Sequence, residues 1–167
     1  MGLAEGPTIR RATTDDARAL TEIAHQAKRH WGYPERWIEI WKDALTITTD
    51  FILIHEVHVA CVDGKIAGFS AVVRANDKVW LEHLWVLPEH IGTGLGKMLF
   101  THAARVAAST GAPALEIESD PNAEGFYRLM GSTRVGEVVS EIEGEKRVLP
   151  LLTFDLSQHH DLNVFSA

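Results

Sequence analysis

The sequence predicts a single α/β domain in which a mixed, mostly antiparallel sheet carries helices on both faces. Strand-like runs and helical patterns alternate in the order β-α-α-β-β-β-α-β-α-β-β. The turn signals Asp63-Gly64 and Asn76-Asp77 separate three of the strands, as consecutive antiparallel strands require. The domain is expected to span residues 7–156, with a loosely ordered tail over residues 157–167.

The N-terminal part begins with a short strand and two helices. Thr8 to Ala12 has strand composition, and Thr14 is the expected N-cap of a helix that runs to about Arg29. Asp15 and Asp16 lie in its first turn, where negative charge favours the helix dipole. A second helix is expected to begin at Pro34 and to include two tryptophans, because proline suits a first helical turn.

Six further strands and two further helices follow. The strands are predicted at His58 to Val62, Ile66 to Val73, Val79 to Val86, Ala114 to Ile117, Val135 to Ser140 and Val148 to Leu156. The helices are predicted at Gly94 to Ser109, which Gly111 stops, and at Asn122 to Met130, which Gly131 stops. The stretch from Ser140 to Pro150 is expected to be a hairpin loop.

Composition narrows the class of protein. No stretch approaches the roughly eighteen apolar residues that span a bilayer, and residues 1–7 lack the pattern of a secretory signal. The only cysteine, Cys61, excludes an internal disulfide and favours a cytoplasmic protein. A net charge of −7 argues against nucleic acid as a partner. The histidine pairs His55/His58 and His159/His160 lack the companions of a metal site, so no metal is expected.

A glycine-rich loop is the most informative segment. The strand ends at Pro88, and Gly92, Gly94 and Gly96 precede a long helix. Glycines let backbone amides approach a ligand, and the first amides of a helix form an anion site that suits a pyrophosphate. The spacing fits neither a P-loop nor a dinucleotide fingerprint, and Met98 stands where a P-loop has its metal-binding hydroxyl. The alternative is a tight turn that binds nothing.

This loop resembles the central motif of the GNAT superfamily of acyl-CoA-dependent N-acetyltransferases, (Gln or Arg)-x-x-Gly-x-(Gly or Ala). Gly94 and Gly96 match its small positions, whereas Ile91 stands at the usual Gln or Arg. The segment from Asn122 through Tyr127 to Gly131 resembles the second motif, Asn-x-x-Ala-x-x-x-Tyr-x-x-x-Gly-Phe, with slight shifts in spacing. The order of elements also agrees, so the resemblance covers almost the whole chain.

The resemblance implies that the co-substrate is acetyl-CoA and that the acyl acceptor is an amine, which the sequence does not identify. By resemblance, backbone amides of the loop bind the pyrophosphate, the arm of the coenzyme lies along the preceding strand, and the Val86 amide binds the thioester carbonyl. The coenzyme residues are expected to be Leu84, Trp85, Val86, Ile91, Gly92, Thr93, Gly94, Leu95, Gly96, Lys97 and Asn122.

Two residues are candidates for the chemistry. Tyr127 is the candidate acid for the departing thiolate, and the alternative is a tyrosine packed beside Phe126. Glu82 is the candidate base, directly or through a water, and burial beside Trp80 would make it a better base. Its alternative is a structural carboxylate. His83 is the reserve base, and strand parity predicts that it packs under a helix.

Aromatic residues crowd the first two helices, which border the acceptor cleft in this superfamily. Trp31, Tyr33 and, from the strand, Trp80 are the candidate acceptor-binding residues, while Trp37 and Trp41 have the spacing of a core stripe. The hairpin loop over residues 140–150 is expected near the acceptor, where it touches either the acceptor or the second subunit of a homodimer.

The leading hypothesis is an enzyme that acetylates a small-molecule or peptide amine by direct transfer in a ternary complex. Cys61 is expected away from the glycine loop, which argues against an acyl-cysteine intermediate. One alternative is a non-catalytic acyl-CoA sensor of the same fold, and another is a protein lysine or N-terminal acetyltransferase.

Overall fold

The structure, a computed structural model, describes residues 5–157, so the predicted tail lies outside the described residues except for its first residue. The helices are α1 (Ala17–His30), α2 (Glu35–Ile40), α3 (Thr49–Ile54), α4 (Leu95–Ser109) and α5 (Glu124–Leu129). The strands are β1 (Thr8–Arg11), β2 (Glu56–Val62), β3 (Lys65–Ala75), β4 (Lys78–Val86), β5 (Ala114–Glu118), β6 (Thr133–Ile142) and β7 (Glu145–Asp155). Short 3-10 turns lie at Thr14–Asp16, Pro88–His90 and Pro121–Ala123.

The strands form one seven-stranded sheet in the order β1-β2-β3-β4-β5-β7-β6. Strands β1 and β2 pair antiparallel, as do β5 with β7 and β6 with β7, whereas β4 and β5 are parallel. This arrangement confirms the predicted mixed, mostly antiparallel α/β fold. Among residues 5–157, no helix is both long enough and apolar enough to span a bilayer.

Contacts between residues divide the chain into two compact units. One consists of Met1–Ala71 with His83–Phe100, and the other of Val72–Glu82 with Thr101–Ala167. The chain therefore passes from one unit to the other inside β3, β4 and α4.

Two apolar clusters hold the first unit together. The larger includes the fully buried Leu20, Ile38 and Phe69. The smaller consists of Ala60, Ala67, Leu95 and Leu99, with Leu84 and Val86 packed against it. Because Leu95 and Leu99 belong to the first turns of α4, burial of their side chains anchors the start of that helix. The core therefore holds in place the residues that follow the glycine loop.

The start of the first helix corrects the predicted cap by one residue. The N-cap is Thr13 rather than Thr14, and its N–H donates to the buried carboxylate of Asp16 at 2.8 Å. Arg10 donates two hydrogen bonds to the same carboxylate, at 2.8 and 3.1 Å. The hydrogen bonds from Arg10 hold the pKa of Asp16 below its ordinary value. Asp16 therefore links β1 to the start of α1 through its hydrogen bonds, in addition to the predicted interaction of its charge with the helix dipole.

Three other segments differ from the prediction. Helix α3 was not predicted, although Thr48 caps it by accepting a hydrogen bond from the Phe51 N–H at 3.0 Å. The predicted loop over residues 140–150 is wrong, because β6 and β7 continue to a two-residue turn at Glu143 and Gly144, with φ of 49° and 80°. The predicted helix at Asn122–Met130 begins instead with a 3-10 turn that leads into α5.

Candidate functional site

The glycine loop joins β4 to α4 with backbone that only glycine adopts readily. Gly92 and Gly94 have φ of +80° and +88°. The Met98 N–H makes the first helical hydrogen bond, to the Gly94 carbonyl at 3.0 Å. The amides of Leu95, Gly96 and Lys97 come before Met98 in the chain and belong to the first turn of α4. N–H groups in a first helical turn lack an acceptor within the helix and can bind an anion.

Two predicted coenzyme residues use their amides within the loop itself. The Ile91 N–H donates to the Pro88 carbonyl at 3.2 Å, and the Thr93 N–H donates to the His90 carbonyl at 3.3 Å. The Thr93 hydroxyl also donates to the His90 carbonyl, at 2.6 Å. These bonds brace the loop. They leave the amides of Gly92, Gly94 and the first turn of α4 as the better placed donors to a phosphate.

The strand before the loop lies unusually close to its neighbour at one point. A Cβ built on Gly68 would lie 2.7 Å from the Trp85 carbonyl oxygen and 3.3 Å from the Val86 Cα. The Leu87 N–H donates to the Ala67 carbonyl at 2.8 Å, just beyond the end of β4. Gly68, which sequence reasoning missed, therefore allows the backbone of the predicted coenzyme strand to approach β3.

His83 is a packed, neutral histidine. Its ring lies 5.6 Å from the Phe51 ring of α3 and 5.9 Å from the Phe69 ring, as the prediction of packing under a helix required. Burial lowers the pKa of His83 to about 4. The Trp85 indole N–H donates to His83 Nδ1 at 3.0 Å, which places the remaining ring proton on Nε2. Neither nitrogen is then free to act as the reserve base near neutrality.

The aromatic residues of the first two helices surround a lysine of the same chain. The buried Lys28 ammonium lies 4.3 Å from the Trp41 ring centre, 4.9 Å from that of Tyr33 and 6.0 Å from that of Trp85. Trp37 is buried, and its ring centre lies 5.9 Å from that of Trp41. Trp37 thus belongs to the core, as expected. The Tyr33 ring contacts the Lys28 ammonium, so one face of it is already used in a cation–π contact within the chain.

The other two aromatic acceptor candidates lie in different units. Trp31 is 38% exposed at the end of α1 and stacks edge-on against His30, with ring centres 5.5 Å apart. Trp80 is partly buried and lies opposite Glu116 of β5. Glu82, in the same unit as Trp80, is exposed. The burial beside Trp80 that would make Glu82 a better base is therefore not present, and water reaches this carboxylate directly.

The second unit contains the other catalytic candidate. Tyr127 is buried on α5, where its ring lies 5.3 Å from that of Phe126. Burial, and then the charge of Asp120, raise the pKa of Tyr127 well above its ordinary value. Asp120 also accepts hydrogen bonds from the Asn122 N–H at 2.8 Å and from Asn122 Nδ2 at 2.9 Å. Asp120 and its ion-pair partner Arg147, at 3.7 Å, were both missed by sequence reasoning.

Within residues 5–157, no three His, Cys, Asp or Glu side chains come together as a metal-ligand set. The candidate residues are thus the backbone amides of the glycine loop in the first unit and, in the second unit, a buried phenol and the polar residues around Asp120.

Comparisons with known proteins point to one family. A family model described as "Acetyltransferase (GNAT) family" matches residues 17–131. Streptothricin acetyltransferase from Streptomyces lavendulae is 40% identical over 74 residues, which are 41% of this chain and 39% of the relative. The similar part thus spans about two fifths of that relative's length.

Solved structures share the fold over nearly the whole chain. A GCN5-related N-acetyltransferase from Rhodopseudomonas palustris superposes with a TM-score of 0.76 at 20% identity and covers 93% of this chain and 99% of its own. The protein yncA from Salmonella typhimurium, solved with its cofactor acetyl-CoA, has a TM-score of 0.68 at 23% identity and covers 93% and 96%. The family model matches most of the chain, and the fold and glycine loop agree with it: this protein belongs to the GNAT family of acetyltransferases.

Proposed function

We propose that this protein transfers the acetyl group of acetyl-CoA to an amine by direct transfer in a ternary complex. The observation that carries the proposal is the loop in which Gly92 and Gly94 have left-handed φ values and lead directly into the first turn of α4. Such a loop gathers backbone N–H groups at a helix N-terminus, which is where a pyrophosphate binds. Family membership and the acetyl-CoA found in yncA support the same donor.

In this proposal the backbone binds most of the coenzyme. The amides of Gly92, Gly94 and the first turn of α4 bind the pyrophosphate, and the exposed ammonium of Lys97 adds positive charge. The arm follows Leu84 to Val86, with the Val86 amide as donor to the thioester oxygen, and Asn122 binds the arm. Ile91 has no polar side chain, and its own amide is bonded to the Pro88 carbonyl, so its role in the proposal is to maintain the turn.

The chemistry requires two proton movements. The amine nitrogen attacks the thioester carbonyl carbon, the carbon–sulfur bond breaks, and the electron pair leaves on sulfur. Glu82, through a water, takes the proton that the amine loses. Tyr127 donates a hydrogen bond to the departing sulfur and passes it a proton, which water restores. Burial raises the pKa of Tyr127, so the phenol remains a hydrogen-bond donor to the departing sulfur, but the same shift makes it a weaker acid.

The acceptor in this proposal is a small molecule that carries an amine. The curated relative with 40% identity over 74 residues is named for a small-molecule acceptor, streptothricin, and this supports the same class here. Trp31, Tyr33 and Trp80 remain the proposed aromatic contacts of the acceptor. The lone thiol of Cys61 fits a reducing cytoplasm, where we place the reaction.

The first test is calorimetry with acetyl-CoA on the wild type and on Gly94→Trp. We expect micromolar binding that the variant loses, because a large side chain at a left-handed glycine blocks the loop. Thiol release with a panel of small amines then tests turnover, and Tyr127→Phe should lower kcat by about 10²- to 10⁴-fold while coenzyme binding persists. Binding without turnover on any amine would favour an acyl-CoA sensor, and absence of binding would exclude the proposed donor.

A further inference from the structure

We propose that His83 and the indole of Trp85 form a positioning pair, which holds the peptide unit between Trp85 and Val86 so that its N–H meets the thioester oxygen. The inference rests on the proposed function, in which the Val86 amide donates to that oxygen. It assigns to the two side chains a role that is exerted through the backbone. All three residues belong to the first unit, so their mutual geometry is defined within one compact body.

The first step is the direction of the Val86 N–H. A Cβ built on Gly68 of β3 would lie 2.7 Å from the Trp85 carbonyl oxygen, so this carbonyl is directed toward β3. The peptide bond is trans, and in a trans peptide the carbonyl and the N–H point in opposite directions. The next amide, that of Leu87, donates to the Ala67 carbonyl of β3 at 2.8 Å. Because successive N–H groups of a strand alternate in direction, both observations direct the Val86 N–H away from β3.

The second step is the hydrogen bond that fixes the indole. His83 and Trp85 are two residues apart in β4, so their side chains lie on the same face of the sheet. The indole N–H donates to His83 Nδ1 at 3.0 Å, and the bond braces the strand over this interval. Burial lowers the pKa of His83 to about 4, so the ring is neutral and Nδ1 is an acceptor at neutral pH.

The third step is the packing of the histidine ring. Its centre lies 5.6 Å from that of the Phe51 ring and 5.9 Å from that of the Phe69 ring. Phe69 is fully buried in the larger apolar cluster, and Phe51 packs against the same cluster. Because both neighbours belong to the packed core, the imidazole has little room to turn, and Nδ1 stays directed at the indole.

The fourth step connects the pair to the peptide unit. Trp85 packs against the larger apolar cluster, whereas Val86 packs against the smaller one, which includes Leu95 and Leu99. The two side chains are thus held on opposite faces, as an extended strand requires, and the peptide between them lies in the plane of the sheet. Loss of the indole bond weakens one of these two anchors. The amide is then less well directed at a developing negative charge, where a small error in position is costly.

The first test examines the bond itself, in coenzyme-free protein labelled with ¹⁵N in its tryptophans. The chain has five tryptophans, so the spectrum has five indole signals, and Trp85→Phe identifies the one that matters. We expect His83→Leu to move this signal to higher field, because the N–H loses its acceptor. His83→Asn, whose side-chain oxygen is also an acceptor, should keep the signal at low field. An unmoved signal in His83→Leu would contradict the bond.

The second test reads the contact with the amide through acetyl-CoA labelled with ¹³C at its acetyl carbonyl. Isotope-edited infrared spectroscopy should find the carbonyl stretch of the bound thioester at lower wavenumber than that of the free one, because a directed donor polarises the carbonyl. His83→Leu should lose most of this shift, and His83→Asn should keep it. The Kd measured by calorimetry should change by less than about tenfold, the loss expected for one neutral hydrogen bond.

Turnover gives the third readout, with the panel amine that the wild type acetylates fastest. His83→Leu should lower kcat by about tenfold or more with little change in the KM for acetyl-CoA, since an oxyanion donor acts mainly in the transition state. His83→Asn should restore most of the rate. Leu20→Val is the matched control, because Leu20 is fully buried in the same apolar cluster but lies on α1. It should lower stability in urea and leave kcat at the wild-type value.

A folded His83→Leu with the carbonyl shift and kcat of the wild type would overturn the inference, as would an equal loss of kcat in Leu20→Val. If His83→Leu does not fold, Trp85→Phe replaces it, since it removes the donor of the same bond. Binding of acetyl-CoA with an unshifted carbonyl would contradict the role of Val86 and therefore the inference. A wild type that does not bind acetyl-CoA would remove the proposed function, whereas the indole signal would separately confirm or contradict the bond.

Discussion

Gly68 of β3 lies directly against the backbone of Trp85 of β4, with no room between them for a side chain. A Cβ on Gly68 would lie 2.7 Å from the Trp85 carbonyl oxygen and 3.0 Å from the Leu99 side chain. The carbonyl is backbone and cannot rotate away, so a methyl group would have to displace the strand. The segment that would move is the one that we propose to contact the coenzyme.

Gly68→Ala should therefore weaken acetyl-CoA binding and lower the free energy of unfolding by about 1–3 kcal/mol, the range for overpacked sites. Calorimetry and urea unfolding measure the two effects. Gly136→Ala in β6 is the matched control, because its Cβ would meet only the Leu151 side chain at an ordinary 3.8 Å. If both variants bind acetyl-CoA as the wild type does, close approach at Gly68 has no role in the site.

Gly94→Ala separates backbone strain from ligand binding when it is compared with Gly111→Ala. Both glycines have left-handed φ, +88° and +82°, and a Cβ at either would meet nothing within 4 Å. Each substitution should therefore cost a similar 1–2 kcal/mol or so in stability. Only Gly94→Ala should also weaken acetyl-CoA binding, because only Gly94 lies in the loop. Equal affinities in the two variants would mean that the loop does not hold the coenzyme.

Burial of neutral His83 should make stability depend on pH below neutrality. The pKa of His83 is lowered to about 4 from an ordinary 6.5, so the unfolded chain takes up a proton first as the pH falls. This contribution is fully present above about pH 6.5, and on the order of 3 kcal/mol is lost by about pH 4. His83→Asn, which keeps an acceptor for the Trp85 indole, should flatten the pH dependence of urea unfolding in this window. An unaltered profile would show that the ring is hydrated.

Asp16 should contribute stability that is lost at more acidic pH. Its pKa is lowered, so the contribution is present above its ordinary value near 4 and disappears as the pH falls through the folded value. Asp16→Ala should cost about 2–3 kcal/mol at neutral pH, because it removes the Thr13 cap bond and both bonds from Arg10. Asp15→Ala, at the exposed neighbour, should cost less than about 0.5 kcal/mol. Similar losses in the two variants would contradict this role.

The glycine loop and its flanking elements could be predicted from the sequence because their geometry is local. Alternation in β4, the glycines and the apolar periodicity of α4 each depend on residues only a few positions apart. The six-residue helix α3 was missed because a single turn and a half has little periodicity, and packing of Ile52 and Phe51 stabilises it. Local propensity alone does not reveal such a helix.

The polar residues were harder to predict, for two different reasons. Strand parity put Glu82 on the face of Trp80, but parity does not say how far that face is covered, and Glu82 is exposed. Asp120 was missed because Asn122 matched the residue type of the second motif. Counted back seven residues from Tyr127, the asparagine position of that pattern falls on Asp120 instead.

The left-handed glycines and the bonded amide of Ile91 have a consequence for mutational mapping of this protein. If backbone amides bind the coenzyme, few side chains contribute to its affinity, and truncating a side chain has little effect on binding. Replacement of Ile91 or Thr93 by alanine should therefore change affinity little, and a conventional alanine scan would overlook much of the loop. Substitutions at the glycines, which alter the conformation of the peptide units, are therefore the ones that test whether this loop binds the coenzyme.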